Sequence, residues 1–379
     1  MPLITSLCPP AVEREEQRET TLTRCQRDLR LRFLDLICEP SGEGPGVFAQ
    51  AARGVLWGLS WGYWAATGVR SALYRRGVLR TFRLPVPVIS VGNLTCGGTG
   101  KTPLVQWIAR YLAECKRRVT ILSRGYRGRG QTSDESQAIQ DGLGDVPHLL
   151  GADRVKSGLR AAKELGAECL ILDDGFQHLR VHRDLDIVTV DALNPFGYGY
   201  LLPRGLLREP VGALRRADVV VLTRTDQCAR EAVEALKGQA LKIAPSLLVA
   251  EAVHKPTGLV RWADGERLEA DSLTGRKVLA FCGIGNPRSF ALTLQSVGVN
   301  VAGQVDFADH HCYGTADLEA LRAEAQRLGA EAVVTTRKDA VKIGRDADLG
   351  EPLYVIDVAL EITRGLEAFE QRIRSACGV

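Results

Sequence analysis

Short apolar, β-branched runs alternate along the chain with stretches of helical period. Leu84-Pro-Val-Pro-Val-Ile-Ser-Val-Gly92 suits a buried parallel strand, as do Val119 to Ser123, Cys169 to Leu172, Asp186 to Val190 and Asp218 to Thr223. Helical stretches lie between them, for example Arg154 to Leu165. This alternation predicts a doubly wound parallel sheet, in which ligands bind beyond the C-terminal strand ends. From about Asp226 the pattern restarts. Lys277 to Phe281, Ala332 to Thr336 and Leu353 to Asp357 read as strands, and helices are expected near Pro287–Val297, Ala316–Leu328 and Leu366–Ser375. Two α/β units follow, 84–226 and 227–379.

The segment before the first strand is different. Gly54 to Val69, GVLWGLSWGYWAATGV, runs 16 residues without a charge. Trp57, Trp61 and Trp64 are spaced by four and three, so they share one helical face, with Gly58, Ser60 and Gly62 on the other side. A spanning helix needs about 20 apolar residues, and this run is shorter. Two readings are open. The Trp stripe seats an amphipathic helix on a membrane surface, or it packs on the protein's own core.

Charge sharpens the first reading. Residues 47–83 hold six Arg (53, 70, 75, 76, 80 and 83) and no Lys, Asp or Glu. The local balance is +6 against +4 for the whole chain, so the remainder carries −2. A generally basic nucleic-acid binder is excluded, and any anionic partner is local to this segment. The 379 residues, 45% hydrophobic and 25% charged, are ordinary for a globular chain of two domains or one large one. None of the ten Cys forms a CxxC pair, which argues against a zinc ribbon or a thioredoxin-type site; they read as small buried hydrophobes of a reducing compartment. Residues 1–46 alternate Arg with Glu, lack the apolar core of a secretory signal, and read as a loosely ordered extension.

The chemistry starts where the first strand ends. Asn93-Leu-Thr-Cys-Gly97-Gly98-Thr99-Gly100-Lys101-Thr102 leads into a helical pattern from Pro103. Strand, Gly-rich turn, Lys-Thr and helix are the setting of a P-loop, whose backbone amides turn in around phosphate oxygens. Lys101 reaches the β- and γ-phosphates, and Thr102 offers a hydroxyl to Mg2+. Thr95 stands where the motif usually has its first Gly, and Gly97-Gly98 supplies the turn. Cys96 stands where some membrane-positioning ATPases carry Lys, which argues against that group. After the third strand come Asp173-Asp174-Gly-Phe-Gln177-His178; the carboxylates either hold Mg2+ or cap a turn. After the second come Ser123-Arg124-Gly-Tyr126-Arg-Gly-Arg129, either an anion clamp or a solvated basic loop. Cys282-Gly-Ile-Gly-Asn-Pro287 lacks the full dinucleotide fingerprint and reads as a tight strand-to-helix turn.

Taken in order, VGNLTCGGTGKTP, ILSRGY, LDDGFQHLRVHRDLDI, FGYGYLLPRGLLREP, ADVVVLTR, FCGIGNPRSF, DHH and TTRKDAVK resemble the tetraacyldisaccharide 4′-kinase family, from about Val47 to Val379. The resemblance implies transfer of the γ-phosphoryl group of ATP to the 4′-hydroxyl of a tetraacyldisaccharide 1-phosphate in lipid A biosynthesis. It implies an α/β fold: a P-loop-type doubly wound domain (84–226), a second α/β/α domain (227–379) closing over the cleft, and an N-terminal membrane-associated helix (47–83). The implied setting is the cytoplasmic face of the inner membrane, peripheral or monotopic. The implied partners are the lipid-linked glucosamine disaccharide and an anionic membrane surface, with neither nucleic acid nor an obligate protein partner.

The site residues carry over as follows. Gly97, Gly98, Thr99, Gly100, Lys101 and Thr102 hold the nucleotide; Thr102, Asp173 and Asp174 serve Mg2+. Arg124, Tyr126, Gln177, His178, Arg208 and Glu209 line the substrate and phosphate site. Beside Lys101, the catalytic pair is Asp134 and His310. Asp134 is matched to the family's Gly-Asp-Glu-Pro block, although Ser133 and Ser136 replace its Gly and Pro. It lies 19 residues before Asp153, as the family pattern expects, whereas the rival Asp145 lies too close. A carboxylate accepts the proton of a sugar hydroxyl as transfer proceeds, and a His bonded to it orients it. Because His310 lies in the other domain, closure completes the site. A base poised toward an acceptor alcohol also separates this reading from a nucleotide-hydrolysing switch. Arg337 departs from the family, which usually has an acidic or small residue there.

Overall fold

The computed structural model describes residues 47–125, 143, 146–308 and 311–378. Helix α1 (Val47–Arg75) lies outermost, and residues 76–83 continue without helix to a bridge between Phe82 and Val181. The β-branched runs then become strands: β1 (Val88–Asn93), β2 (Val119–Ser123), β3 (His148–Leu150), β4 (Cys169–Asp173), β5 (Leu185–Asp191) and β6 (Val219–Thr223). All but β3 are buried throughout, as strands covered on both faces must be. Helices α2 (Lys101–Glu114), α3 (Arg154–Glu164) and α4 (Arg230–Ile243) cover them. Asp153 starts α3 by accepting from the amides of Val155 and Lys156.

The second lobe holds β7 (Leu248–Arg261), β8 (Arg267–Leu268), β9 (Lys277–Cys282), α5 (Pro287–Ser296), β10 (Asn300–Asp306), α6 (Thr315–Leu328), β11 (Ala332–Thr336), α7 (Arg337–Ala340), β12 (Leu353–Arg364) and α8 (Leu366–Cys377). Among the described residues the lobes share one twelve-stranded sheet, ordered β10-β9-β11-β12-β7-β6-β5-β1-β4-β2-β3, with β8 paired to β7. Strand β7 is the seam. Its start pairs parallel with β6, and Glu251 to Arg261 pair antiparallel with β12. The register shifts beside Pro256, which has no N–H for the ladder.

Strand β12 runs back along this ribbon, so α8 lands on the first lobe. Phe369 and Ile373 share a buried core with Ile108, Leu112 and Ile171. The Trp107 and Phe369 rings lie 5.4 Å apart. Residues 366–377, grouped by sequence order with the second unit, thus complete the core of the first.

Candidate active site

The Gly-rich turn is pinned from several sides. Asn93, fully buried at the end of β1, donates its side-chain amide to the Thr95 carbonyl at 2.7 Å. Gly97 and Gly100 have φ of +114° and +84°, which favour glycine. At Gly100 a methyl would also meet the His254 ring at 3.0 Å. Thr99 Oγ1 lies 2.7 Å from Thr189 Oγ1 of β5, and Thr223 Oγ1 of β6 donates to the Thr99 carbonyl at 3.0 Å. Helix α2 starts at Lys101, so Lys101 and Thr102 sit in its first turn, where the dipole favours an anion.

Asp174 is the charge centre beside this turn. Arg208 donates to both of its oxygens, at 2.8 and 3.0 Å, and Lys101 Nζ lies 3.8 Å away. Arg208 also reaches Asn93 Oδ1 at 3.3 Å, and Gln177 Nε2 donates to the Asn93 carbonyl at 2.8 Å. Burial pushes the Asp174 carboxyl up, but the Arg208 hydrogen bonds and the charges of Lys101, Arg208 and Arg154 outweigh it and hold the group below its ordinary value. The neighbouring Asp173 is buried and accepts from Ser123 Oγ at 3.2 Å; that hydroxyl also meets His148 Nε2 at 2.7 Å. The Asp-Asp-Gly-Phe turn lies hard against β1: a methyl on Gly92 would fall 2.5 Å from Phe176 Cβ. His178 is held neutral, its pKa lowered to about 4 by burial and by Arg154, Arg70, Arg183 and Arg180.

Lys101, Asp174, Gln177 and Arg208 are therefore brought together, with Gly97 to Thr102 beneath and Asp173 alongside. Arg124 is exposed just past β2. Glu209 turns away from Asp174 and pairs with Arg216 at 2.7 Å. Tyr126, Asp134, the rival Asp145 and His310 lie outside the described residues. Their neighbour His311 stacks on Phe307 and meets Asp317 Oδ2 at 3.0 Å. Asn93, Thr189, Thr223 and Asp191 are site residues that the motifs did not single out. Asn93, Asp191 and Thr223 each close a strand, and that position was the available signal, whereas Thr189 lies two residues inside the end of β5. Among the described residues no group of three or more His, Cys, Asp or Glu could cage a metal ion. Thr102 and the two Asp suit a Mg2+ that takes its other ligands from phosphates and water.

Helix α1 docks across the same loops with its small, polar side. Ser60 Oγ donates to the Leu201 carbonyl (2.9 Å), Tyr63 to the Arg208 carbonyl (3.0 Å) and Arg70 to the Gln177 carbonyl (2.9 Å). Trp57, Trp61 and Trp64 face outward, 51, 53 and 48% exposed, and touch one another edge to face. The core-packing reading of the stripe is thereby overturned. No helix among the described residues is long and apolar enough to cross a membrane. Arg70, as above, and Arg83, with Asp184 at 3.0 Å, are used internally, and Arg80 lies over the Phe82 ring. An open cleft of about 770 Å³ lies between α1 and the first lobe, lined by Trp64, Tyr74, Arg183, Glu209 and Arg216 among others.

Residues 52–377 match the family model described as tetraacyldisaccharide-1-P 4′-kinase. A tetraacyldisaccharide 4′-kinase from Anaeromyxobacter dehalogenans (strain 2CP-C) is 42% identical over 328 residues, covering 81% of this chain and 86% of that protein. One from Syntrophus aciditrophicus (strain SB) is 38% identical over 319 residues, covering 78% and 85%. Among solved structures, the "apo" form of LpxK from Aquifex aeolicus in complex with ATP is similar, with a TM-score of 0.65 and 30% identity over 86% of this chain and 99% of that one.

Proposed function

The chain belongs to the tetraacyldisaccharide-1-phosphate 4′-kinase family and is an ATP-dependent kinase of lipid A synthesis; from that premise we propose how its residues divide the work. The Lys101, Asp174 and Arg208 cluster at the mouth of the Gly-rich turn carries the reading. The turn's amides and Lys101 bind the β- and γ-phosphates, and Lys101 exchanges its 3.8 Å contact with Asp174 for phosphate oxygen. Arg208, held by both Asp174 oxygens, presents positive charge to the phosphoryl group in transit. Thr102 and one of Asp173 and Asp174 would hold Mg2+, which would neutralise charge on the transferred group. Asp134 takes the proton of the 4′-hydroxyl as the hydroxyl oxygen attacks the γ-phosphorus and the bond to the bridging oxygen breaks, releasing ADP, and His310 orients that carboxylate. Arg124 and Tyr126 add contacts to the phosphate.

The outward Trp stripe and the flanking arginines support a seat for α1 on an anionic membrane surface. We place the enzyme peripherally at the cytoplasmic face of the inner membrane, with the cleft beneath α1 open to the lipid-linked disaccharide. We take the nucleotide lobe on past 226 through α4, which packs on β5 and β6, to the start of β7, with α8 returning to it.

The test is a transfer assay with γ-labelled ATP, Mg2+ and detergent-dispersed tetraacyldisaccharide 1-phosphate. Label is expected in the lipid. It is lost in Lys101→Ala and falls about 10²-fold or more in Asp134→Ala, as for a missing base. Undiminished transfer by Asp134→Ala would remove that residue from the mechanism, and wild-type label only in free phosphate would refute the acceptor.

A further inference from the structure

The second lobe touches the first at the Gly-rich turn itself. Gly285 comes so near that a methyl on it would lie 2.8 Å from the Gly98 nitrogen and 3.4 Å from Gly97 Cα. The next residue, Asn286, uses both ends of its side chain. Oδ1 accepts from the Ser289 amide at 3.2 Å and caps α5 in the second lobe. Nδ2 donates to Asp191 Oδ2 at 3.0 Å, at the end of β5 in the first lobe. Asp191 is itself buried and fixed, by Arg224 Nη1 at 2.6 Å on Oδ2 and by the Leu193 amide at 3.1 Å on Oδ1. The amide thus joins a helix cap on one lobe to a held carboxylate on the other.

We infer that Asn286 is a positioning residue for phosphoryl transfer: its amide latches the Gly-Ile-Gly-Asn turn onto Asp191 and holds the lobes closed over the Gly-rich turn. The inference rests on the proposed reading that this turn carries the transferred phosphate. The nucleotide's proposed contacts lie mainly in the first lobe, so the latch bears on transfer more than on ATP binding. It raises the population of the closed state from which transfer occurs. A carboxylate at 286 would keep the acceptor that caps α5 but would set like charge against Asp191 across 3.0 Å. Asn286→Ser likewise keeps an oxygen that can cap α5 but is too short to reach Asp191, so it removes the latch without adding charge.

The experiment is steady-state lipid phosphorylation by the full chain, with thermal melting as the control for folding. Asn286→Asp is expected to lower kcat about tenfold or more, the scale of a lost hydrogen bond to a charged group, while the KM for ATP moves by less than about threefold. Asn286→Ser should lose a similar part of kcat while melting as the wild type does. Unchanged kcat in Asn286→Asp or in Asn286→Ser overturns the latch. A wild-type chain that phosphorylates no lipid would instead refute the kinase assignment beneath it.

Discussion

Replacing Trp57, Trp61 and Trp64 together by Ser separates membrane seating from core packing in one variant. Each ring is about half exposed, and Trp61 meets Trp57 and Trp64 edge to face. Together they offer roughly 300 Å² of surface to a membrane interface. Fully desolvated, that area is worth about 7 kcal/mol at about 25 cal/mol/Å². Seating in the interface desolvates only part of it, and about 3 kcal/mol is a reasonable share, a drop of roughly 100-fold in partition. The assay is sedimentation with vesicles containing anionic phospholipid, followed by thermal melting without lipid. Binding should collapse while the melting temperature moves by less than about 3 °C, because surface changes away from packed sites cost little. A buried stripe predicts the reverse, since emptying a packed aromatic site costs about 3–5 kcal/mol. Partition within threefold of wild type, or a melting temperature that collapses, would refute the reasoning.

Two further outcomes follow from the site. Arg208→Lys keeps the charge but loses the two-pronged grip on Asp174, so kcat in the transfer assay should fall roughly tenfold; a rate within twofold of wild type would argue that Arg208 is not at the phosphoryl group. His254 has its pKa lowered to about 3 by burial and by Arg224. Its folded value lies below its unfolded one, so the unfolded chain binds the extra proton, and stability is full above pH 6.5 and lost as pH falls toward 3. Between pH 7.5 and 5 the urea-unfolding free energy should drop by about 1–2 kcal/mol on this account. Most of that part of the drop should vanish in His254→Gln, and an identical pH slope in the variant would refute it.

The buried strands were legible because a strand covered on both faces must be apolar throughout. Val119–Ser123 and Ala332–Thr336 fall where the runs lie. Strand β7 was hidden, since Pro256 and Gly258 interrupt it and read as breakers. Both are tolerated where the ladder slips past Pro256. The far half of β12 was missed because it alternates: Leu360 and Ile362 are buried in the first lobe's core while Val358 and Glu361 are exposed, so the unbroken apolar run is lost. Within the site, the Lys101 and Asp174 motifs were readable because chemistry restricts residue type. Thr189, Asp191 and Asn286 were not, because their roles are made by strand neighbours and by the opposite lobe. Glu209, adjacent to Arg208 in sequence, pairs with Arg216 instead, because the two lie in a bend where neighbours need not share a site.

The position of α8 bears on how the molecule is made. The apolar face of α2 around Ile108 and Leu112 is covered by Phe369 and Ile373. On the ribosome, that face emerges long before the residues that close it. The nascent nucleotide lobe therefore spends most of translation with an open seam, a surface suited to chaperone capture. Only when residues 366–377 have cleared the exit tunnel can the lobe set around its Gly-rich turn. The turn that grips ATP is then finished together with the second lobe that packs against it, and a chain stalled earlier holds neither.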